Sequence, residues 1–92
     1  MDGGDHGHGL AILGLQAGEQ VRFRRDSNQR WRFGMVIRRE HDGSIGLTDG
    51  QGASRSVEVA KIEVRCRGPR GGRSWEPLTT RASRTEQLRL PV

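Results

Sequence analysis

The sequence predicts an all-β domain, a small antiparallel sheet of five short strands closed into a barrel. Two observations carry this prediction. Apolar and polar residues alternate with a period of two in five runs between residues 18 and 66, and turn-forming residues separate the runs. That period is typical of strands that bury one face. A chain of 92 residues is enough for one such domain and too short for two.

The N-terminal segment precedes the alternating runs. Residues 1–9 (MDGGDHGHG) show no periodicity, so we expect a disordered tail there. His6 and His8 lie near Asp2 and Asp5, but a flexible tail offers no fixed second shell for a metal ion. We therefore predict no metal site and no cofactor. Residues 10–15 (LAILGL) are expected to dock onto the domain as an edge strand or a short turn.

The five predicted strands cover residues 18–25, 31–40, 44–49, 54–59 and 62–66. The second strand is expected to turn four apolar side chains toward the core: Trp31, Phe33, Met35 and Ile37. Gly34 weakens a regular strand, which predicts a bend or bulge at that position. Asp42 and Gly43 predict a tight hairpin turn, because this pair tolerates positive φ.

The C-terminal third begins with a Gly-Arg loop, residues 67–73 (RGPRGGR), which interrupts the alternation. Trp75 is then expected to cap one end of the barrel. For the polar residues 79–92 two outcomes stay open, a frayed tail or a short helix. The predicted organisation is a tail over residues 1–9, a barrel domain over residues 10–78 that includes the loop, and a C-terminal segment over residues 79–92.

Four short motifs in the strand region resemble those of a known fold family. They are residues 18–21 (GEQV) entering the first strand, 34–36 (GMV) in the second, 42–45 (DGSI) at the hairpin and 49–52 (DGQG) before the fourth. With these motifs, residues 18–66 resemble the SH3-like barrels of the Tudor and KOW type. The resemblance implies a five-stranded SH3-like barrel and supports a fold rather than a function.

Charge and composition bound the function. The formal net charge is +5, which favours polyanionic partners such as nucleic acid. Only Lys61 among the 16 basic residues is a lysine, a bias that a GC-rich genome also produces, so both explanations stay open. Cys66 is the single cysteine and cannot form an internal disulfide. No apolar run is long enough for a signal core or a membrane span, so we expect a cytoplasmic protein without a membrane partner.

The candidate nucleic-acid contacts are arginines at outward strand positions and in the Gly-Arg loop. They are Arg22, Arg24, Arg32, Arg38, Arg65, Arg67, Arg70 and Arg73. Glu58 and Glu63 share the outward phase, so a mixed, solvated face is the alternative. The loop resembles both an AT-hook and an RGG segment, since thin glycine backbone and planar arginine donors suit a phosphate backbone or a minor groove. Its alternative interpretation is a long basic hairpin.

The predicted function is a non-enzymatic nucleic-acid-binding module that contacts the phosphate backbone of DNA or RNA. The alternative is a protein-interaction adapter that docks a larger partner, such as transcription machinery, through the barrel edge or through Trp31 or Trp75. Two Phe, two Trp and no Tyr are too few for both a core and a complete aromatic cage, unless Trp31 and Trp75 meet at one end of the barrel. His41 beside a turn glycine and Cys66 on an inward position suit no catalytic role. We expect no small-molecule substrate.

Overall fold

A computed structural model of the chain describes residues 9–89, which form a mostly β domain. Its elements are β1 (Gln20–Phe23), β2 (Arg32–Arg39), β3 (Ile45–Asp49), β4 (Ser54–Val57), a 3-10 turn (Val59–Lys61), β5 (Ile62–Arg67), β6 (Arg73–Pro77) and α1 (Leu78–Arg89). The strands form one antiparallel sheet in the order β4-β3-β2-β1-β5-β6. The prediction of a small, mainly β domain is confirmed. The tail expected over residues 1–9 lies, except for Gly9, outside the described residues.

The sheet has six strands where the sequence predicted five. Residues 67–73 do not form a long loop but a tight hairpin, in which the Gly68 N–H donates to the Gly72 carbonyl at 2.6 Å. Gly71 has a φ of +82°, a backbone conformation that residues other than glycine rarely adopt. The hairpin brings Trp75 back as a strand residue opposite Arg65. The prediction that Trp75 caps a barrel end is therefore wrong.

The sheet is open along its edges. β4 and β6 are the edge strands, and across residues 9–89 no hydrogen-bonded ladder joins either of them to a further strand. The closure by strand pairing that the sequence predicted is thus absent from this part of the chain. β6 pairs with the side of β5 that β1 leaves free. Its backbone therefore forms hydrogen bonds with groups of β5 that a closed barrel would pair with another strand.

The core lies on one face of the sheet and beneath the N-terminal segment. Its fully or largely buried side chains are Leu10, Leu13, Leu15, Val21, Phe23, Val36, Ile45, Leu47, Ile62, Val64 and Leu78. Residues 9–11 are helical and lead into a turn, so the edge strand considered for residues 10–15 does not form. Leu10, Leu13 and Leu15 instead pack into the core, and the helical turn places Leu10 and Leu13 on the same side.

Gly34 lies in the core, and its role differs from the predicted bend. The pairing of β2 with β3 shifts register between Val36 and Arg38, so the bulge falls three residues later. A Cβ added at Gly34 would lie 3.0 Å from the Thr48 carbonyl oxygen and 3.4 Å from the Phe23 ring. Glycine is favoured at this position because the Thr48 carbonyl oxygen and the Phe23 ring leave little room for a side chain.

Helix α1 closes one side of the core, where the sequence left open a helix or a frayed tail. Leu78 is fully buried and Ala82, one turn later, packs against the core. Arg81 donates hydrogen bonds to the carbonyl oxygens of Gly14 and Arg65 and forms an ion pair with Glu19. These bonds join the N-terminal segment and the sheet to α1. Within the described residues no helix is long and apolar enough to cross a membrane.

The close approach at Gly34 predicts a specific destabilisation. Gly34→Ala should lower the free energy of unfolding by about 1–3 kcal/mol, because the backbone oxygen of Thr48 cannot move without disturbing the β2–β3 ladder. Gly50→Ala is the matched control, since nothing lies within 4 Å of a Cβ there and its φ is not positive. Its effect should stay within about 0.5 kcal/mol. Urea denaturation measures both, and equal effects would contradict the role given to Gly34.

The ion pair between β6 and α1 predicts a pH dependence. The hydrogen-bonded Arg84 guanidinium holds the pKa of Glu76 below its ordinary value of 4.5. Because the folded pKa is the lower one, the pair stabilises fully above the unfolded pKa and is lost as pH falls through the folded pKa. The stability difference between the wild type and Glu76→Gln should therefore be constant near neutral pH and shrink below pH 4.5. A difference that does not change in acid would rule out this linkage.

Candidate nucleic-acid interface

The sheet has a second, solvent-facing surface, which we call the outer face. It is made by the side chains of β1, β2, β5 and β6 that alternate with the core residues. Strand register sets their neighbours: Arg22 on β1 lies opposite Phe33 on β2 and Glu63 on β5, and Arg65 on β5 lies opposite Trp75 on β6. Rings and guanidinium groups therefore come from adjacent strands onto one surface.

The phase predicted for the second strand is wrong. Phe33, Met35 and Ile37 are 48%, 50% and 37% exposed, whereas Gly34 and Val36 are buried. A period of two divides the side chains of β2 into two sets but does not show which set faces the core. The sequence prediction placed the set with the larger aromatic rings inside. The small set is the one that fits, because the inner side of β2 packs closely against Phe23 and β3.

Five side chains form a continuous ring–guanidinium stack on and beside the outer face. The guanidinium carbon of Arg24 lies 4.0 Å from the Trp31 ring centroid, and that of Arg22 lies 4.1 Å from Trp31 and 4.9 Å from Trp75. Arg65 extends the stack, 5.5 Å from the Trp75 centroid. Cations over the faces of Trp rings are attracted by the ring quadrupole. Each Trp is thereby held in place by arginines, although the sequence predicted Trp31 for the core.

The exposed end of the stack is aromatic. The Phe33 and Trp75 ring centroids are 5.9 Å apart at an interplanar angle of 52°, a favourable tilted arrangement. Phe33 is nearly half exposed, so one ring of the pair is open to solvent. A half-exposed ring beside a second ring and two guanidinium groups is suited to receiving another flat, electron-rich group.

One carboxylate sits within the outer face. Glu63 accepts hydrogen bonds from Arg22 at 2.9 and 2.6 Å, which fixes Arg22 between the two Trp rings. This pair is neutral overall. Arg24 and Arg65, by contrast, have no ion-pair partner among residues 9–89, so they remain available to an anion. Glu58, which the sequence placed on the same phase, lies elsewhere, in the cleft described below.

The eight predicted arginines do not form one surface. Arg22, Arg24 and Arg65 share the outer face. Arg32 pairs across from buried Phe23, so it has the inner phase and points beyond the end of the core, which corrects its outward assignment. Arg38 is paired with Glu40 at 3.5 Å. The other three lie, exposed, on the β5–β6 hairpin: Arg67, Arg70 and Arg73. The basic-hairpin interpretation of the Gly-Arg loop describes its geometry.

A second basic feature, which we call the basic cleft, opens beside the end of β1. Its volume is about 680 Å³, and it lies between the β1–β2 loop and the segment from β4 to the 3-10 turn. Its lining residues are Phe23, Arg24, Arg25, Gln29, Arg30, Arg32, Arg55, Ser56, Val57, Glu58 and Lys61. Sequence reasoning did not single out its other cations, Arg25, Arg30, Arg55 and Lys61. The arginines flanking the 26–29 turn were the available signal.

The remaining groups considered in the sequence are His41, Cys66 and the pair of His6 and His8. His41 is exposed and Cys66 is half-buried on the inner phase. Throughout residues 9–89, no three His, Cys, Asp or Glu side chains are grouped so as to hold a metal ion. The His6 and His8 pair lies outside the described residues. Asp49 lies at the β3–β4 turn, where hydrogen bonds from the Arg55 side chain and from the backbone N–H groups of Ala53 and Gln51 lower its pKa to about 2. This carboxylate therefore stays ionised and bound to Arg55.

The inverted phase of β2 predicts opposite results for neighbouring residues. Val36→Ala should lower the free energy of unfolding by about 2 kcal/mol, because it leaves a cavity in the core. Met35→Ala should cost less than about 1 kcal/mol, because Met35 is half exposed on the outer face. Thermal or urea unfolding of the two variants tests this. A larger loss for Met35→Ala would restore the phase that the sequence predicted.

Comparison with known proteins leaves the geometry as the only guide to function. No protein-family model, curated protein sequence or solved structure matches the chain. The interpretation of the outer face and the basic cleft therefore rests on the side chains that each brings together and on the charge that each carries.

Proposed function

We propose that this chain is a non-enzymatic nucleic-acid-binding module that holds a single strand on its outer face. The ring–guanidinium stack with half-exposed Phe33 at its end is the observation that carries the proposal. Unpaired bases stack on aromatic rings and on arginine planes, and they do so with little sequence preference because every base has a π face. Duplex bases are already stacked on each other, so the face favours single strands.

The unpaired arginines supply the electrostatic part of binding. Arg24 and Arg65 flank the stack, and the β5–β6 hairpin continues from Arg65 with Arg67, Arg70 and Arg73. A strand whose bases stack near Phe33 and Trp75 would pass its phosphates along these side chains. Phosphate contacts of this kind give affinity without sequence information. The expected mode is therefore general rather than sequence-specific.

The proposed fold is an SH3-like barrel of the Tudor or KOW type, left partly open and extended by β6 and α1. Four features support it. β2 is the longest strand, and it bulges near Ile37. In addition, tight turns contain Gly43 and Gly52 with positive φ, and the 3-10 turn stands directly before β5. Small barrels of this kind are used as binding modules, but the fold leaves the ligand open.

A protein-interaction adapter is the second candidate, favoured by one observation. Phe33, Met35 and Ile37 make an exposed apolar row along β2, and Trp75 adjoins it. Aromatic residues and methionine are enriched at the centres of protein interfaces. The edge strand β6 also has one side without a partner strand among residues 9–89, where an extended peptide is able to pair. Binding through this row would depend weakly on salt.

The proposal is tested with a fluorescein-labelled oligothymidylate and a duplex of equal length, by anisotropy at two salt concentrations. Single-strand binding should be tighter and should fall with salt by roughly 0.7 log units per log unit of salt for each phosphate neutralised. Phe33→Ala and Trp75→Ala should each weaken it by roughly 5- to 100-fold, which corresponds to the loss of one stacked base.

Leu88→Ala is the matched control. Leu88 is 81% exposed on α1 and belongs to no part of the outer face, so its loss should leave the affinity unchanged. Absence of oligonucleotide binding in low salt would overturn the nucleic-acid proposal and leave the apolar row as a protein surface. Equal weakening by Leu88→Ala would show that the ring variants act through general hydrophobicity.

A further inference from the structure

The basic cleft carries a local excess of positive charge. Six cations line it against one carboxylate, Glu58, and one of the six, Arg55, is also paired with Asp49. Several arginines elsewhere are neutralised by acids, as in the pairs Arg22–Glu63 and Arg81–Glu19. Within residues 9–89 the other five cleft cations form no ion pair, so they are able to attract an external anion.

Four of the cleft arginines lack an acidic partner. Within residues 9–89, no ion pair involves the arginines on either side of the 26–29 turn: Arg24, Arg25, Arg30 and Arg32. They converge because β1 and β2 pair up to Phe23 and Arg32, so both ends of the connecting loop meet at the cleft. Like charges brought together in this way repel one another, and a bound anion relieves the repulsion.

The walls of the cleft are held by side-chain hydrogen bonds that do not use the guanidinium groups of Arg25, Arg30 and Arg32. Lys61 donates to the carbonyl oxygen of Arg25 at 2.8 Å, which ties the 3-10 turn to the β1–β2 loop. Arg55, on the opposite wall, is oriented by its bond to Asp49 at 2.7 Å. Buried Phe23 lies at the inner end. The site is thus shaped before any ligand arrives, with guanidinium forks around its rim.

We propose that the basic cleft binds the phosphomonoester group of a nucleotide. A phosphomonoester carries nearly two negative charges and three acceptor oxygens, whereas a phosphodiester carries one charge. Several arginines lining one cleft match the former, because each guanidinium group is able to donate two parallel hydrogen bonds to phosphate. The volume of about 680 Å³ is within the range of small-ligand sites.

Arg24 links this cleft to the ring–guanidinium stack, since it lines the cleft and also lies 4.0 Å from the Trp31 ring. A phosphate in the cleft and bases on the outer face are therefore adjacent. The inference, which rests on the proposed function at this point, is that the cleft receives the phosphorylated end of the bound strand. A free mononucleotide offers the same chemistry and is the other source of the group.

The test measures how tightly the full chain binds oligothymidylates that carry a 5′-phosphate, a 3′-phosphate or no terminal phosphate. Each phosphorylated strand is labelled at the end opposite its phosphate. One phosphorylated form should bind about tenfold more tightly than the unphosphorylated strand, through charge-assisted hydrogen bonds in the cleft. Arg30→Gln with Arg32→Gln should abolish that preference. Both side chains are exposed and make no hydrogen bond within residues 9–89, so the fold should persist, as circular dichroism would verify. If the double variant does not fold, Arg25→Gln is used in its place.

The matched control removes the same charge from the hairpin. Arg67→Gln with Arg70→Gln should weaken all three oligonucleotides alike and keep the preference for a terminal phosphate. Thymidine monophosphate is titrated separately. If it binds and the Arg30/Arg32 double variant abolishes that binding, the cleft site stands with the free nucleotide as its source, even where no oligonucleotide binds and the proposed function fails. Equal affinity for all three strands, with no mononucleotide binding, would overturn the cleft site and leave the proposed function intact.

Discussion

The close packing of β2 against the core decides which surface of this protein meets its surroundings. At Gly34 the Thr48 carbonyl and the Phe23 ring leave no space for a side chain. The core-facing side of β2 therefore carries Gly34 and Val36, with exposed Arg32 at the start of the strand, and Phe33 and Met35 face outward. Because β1 pairs with β2, the outward Phe33 lies opposite Arg22, which also stacks on Trp31. Trp75 of β6 lies opposite Arg65, and together these side chains form the stack on the outside.

Several carboxylates stabilise the fold through ion pairs and hydrogen bonds. Glu19 and Glu76 form ion pairs with Arg81 of α1, Glu63 orients Arg22, and Asp49 orders the β3–β4 turn. Half-buried pairs of this kind gain more from the attraction than fully solvated ones. The same arrangement leaves the cleft and the β5–β6 hairpin with cations that have no acidic partner in the described part of the chain. The net positive charge is thus concentrated at two places instead of being spread over the surface.

Under the proposed function, the stack and the cleft bind two parts of one ligand. Rings and guanidinium planes on the outer face match bases, and convergent cations in the cleft match phosphate, with Arg24 common to both. A ligand with only one of these chemistries would use one site and leave the other empty. This is why a nucleic-acid strand accounts for more of the described surface than an apolar protein partner, which would contact the row from Phe33 to Ile37 and leave the cleft unused.

The sequence by itself determined the β class and several of the turns. Alternation located β1 to β5 to within a few residues, and Asp42–Gly43 and Gly52 marked real turns, whereas the anionic partner expected from the basic excess stays a prediction. Only the tertiary structure decided the phase of β2, because both of its alternating sets contain apolar residues and space beside Phe23 makes the choice. It also decided that Trp75 belongs to a sixth strand and that Arg25, Arg30, Arg55 and Lys61 share a cleft. Those placements depend on pairing and packing between residues far apart in the chain, which local pattern does not record.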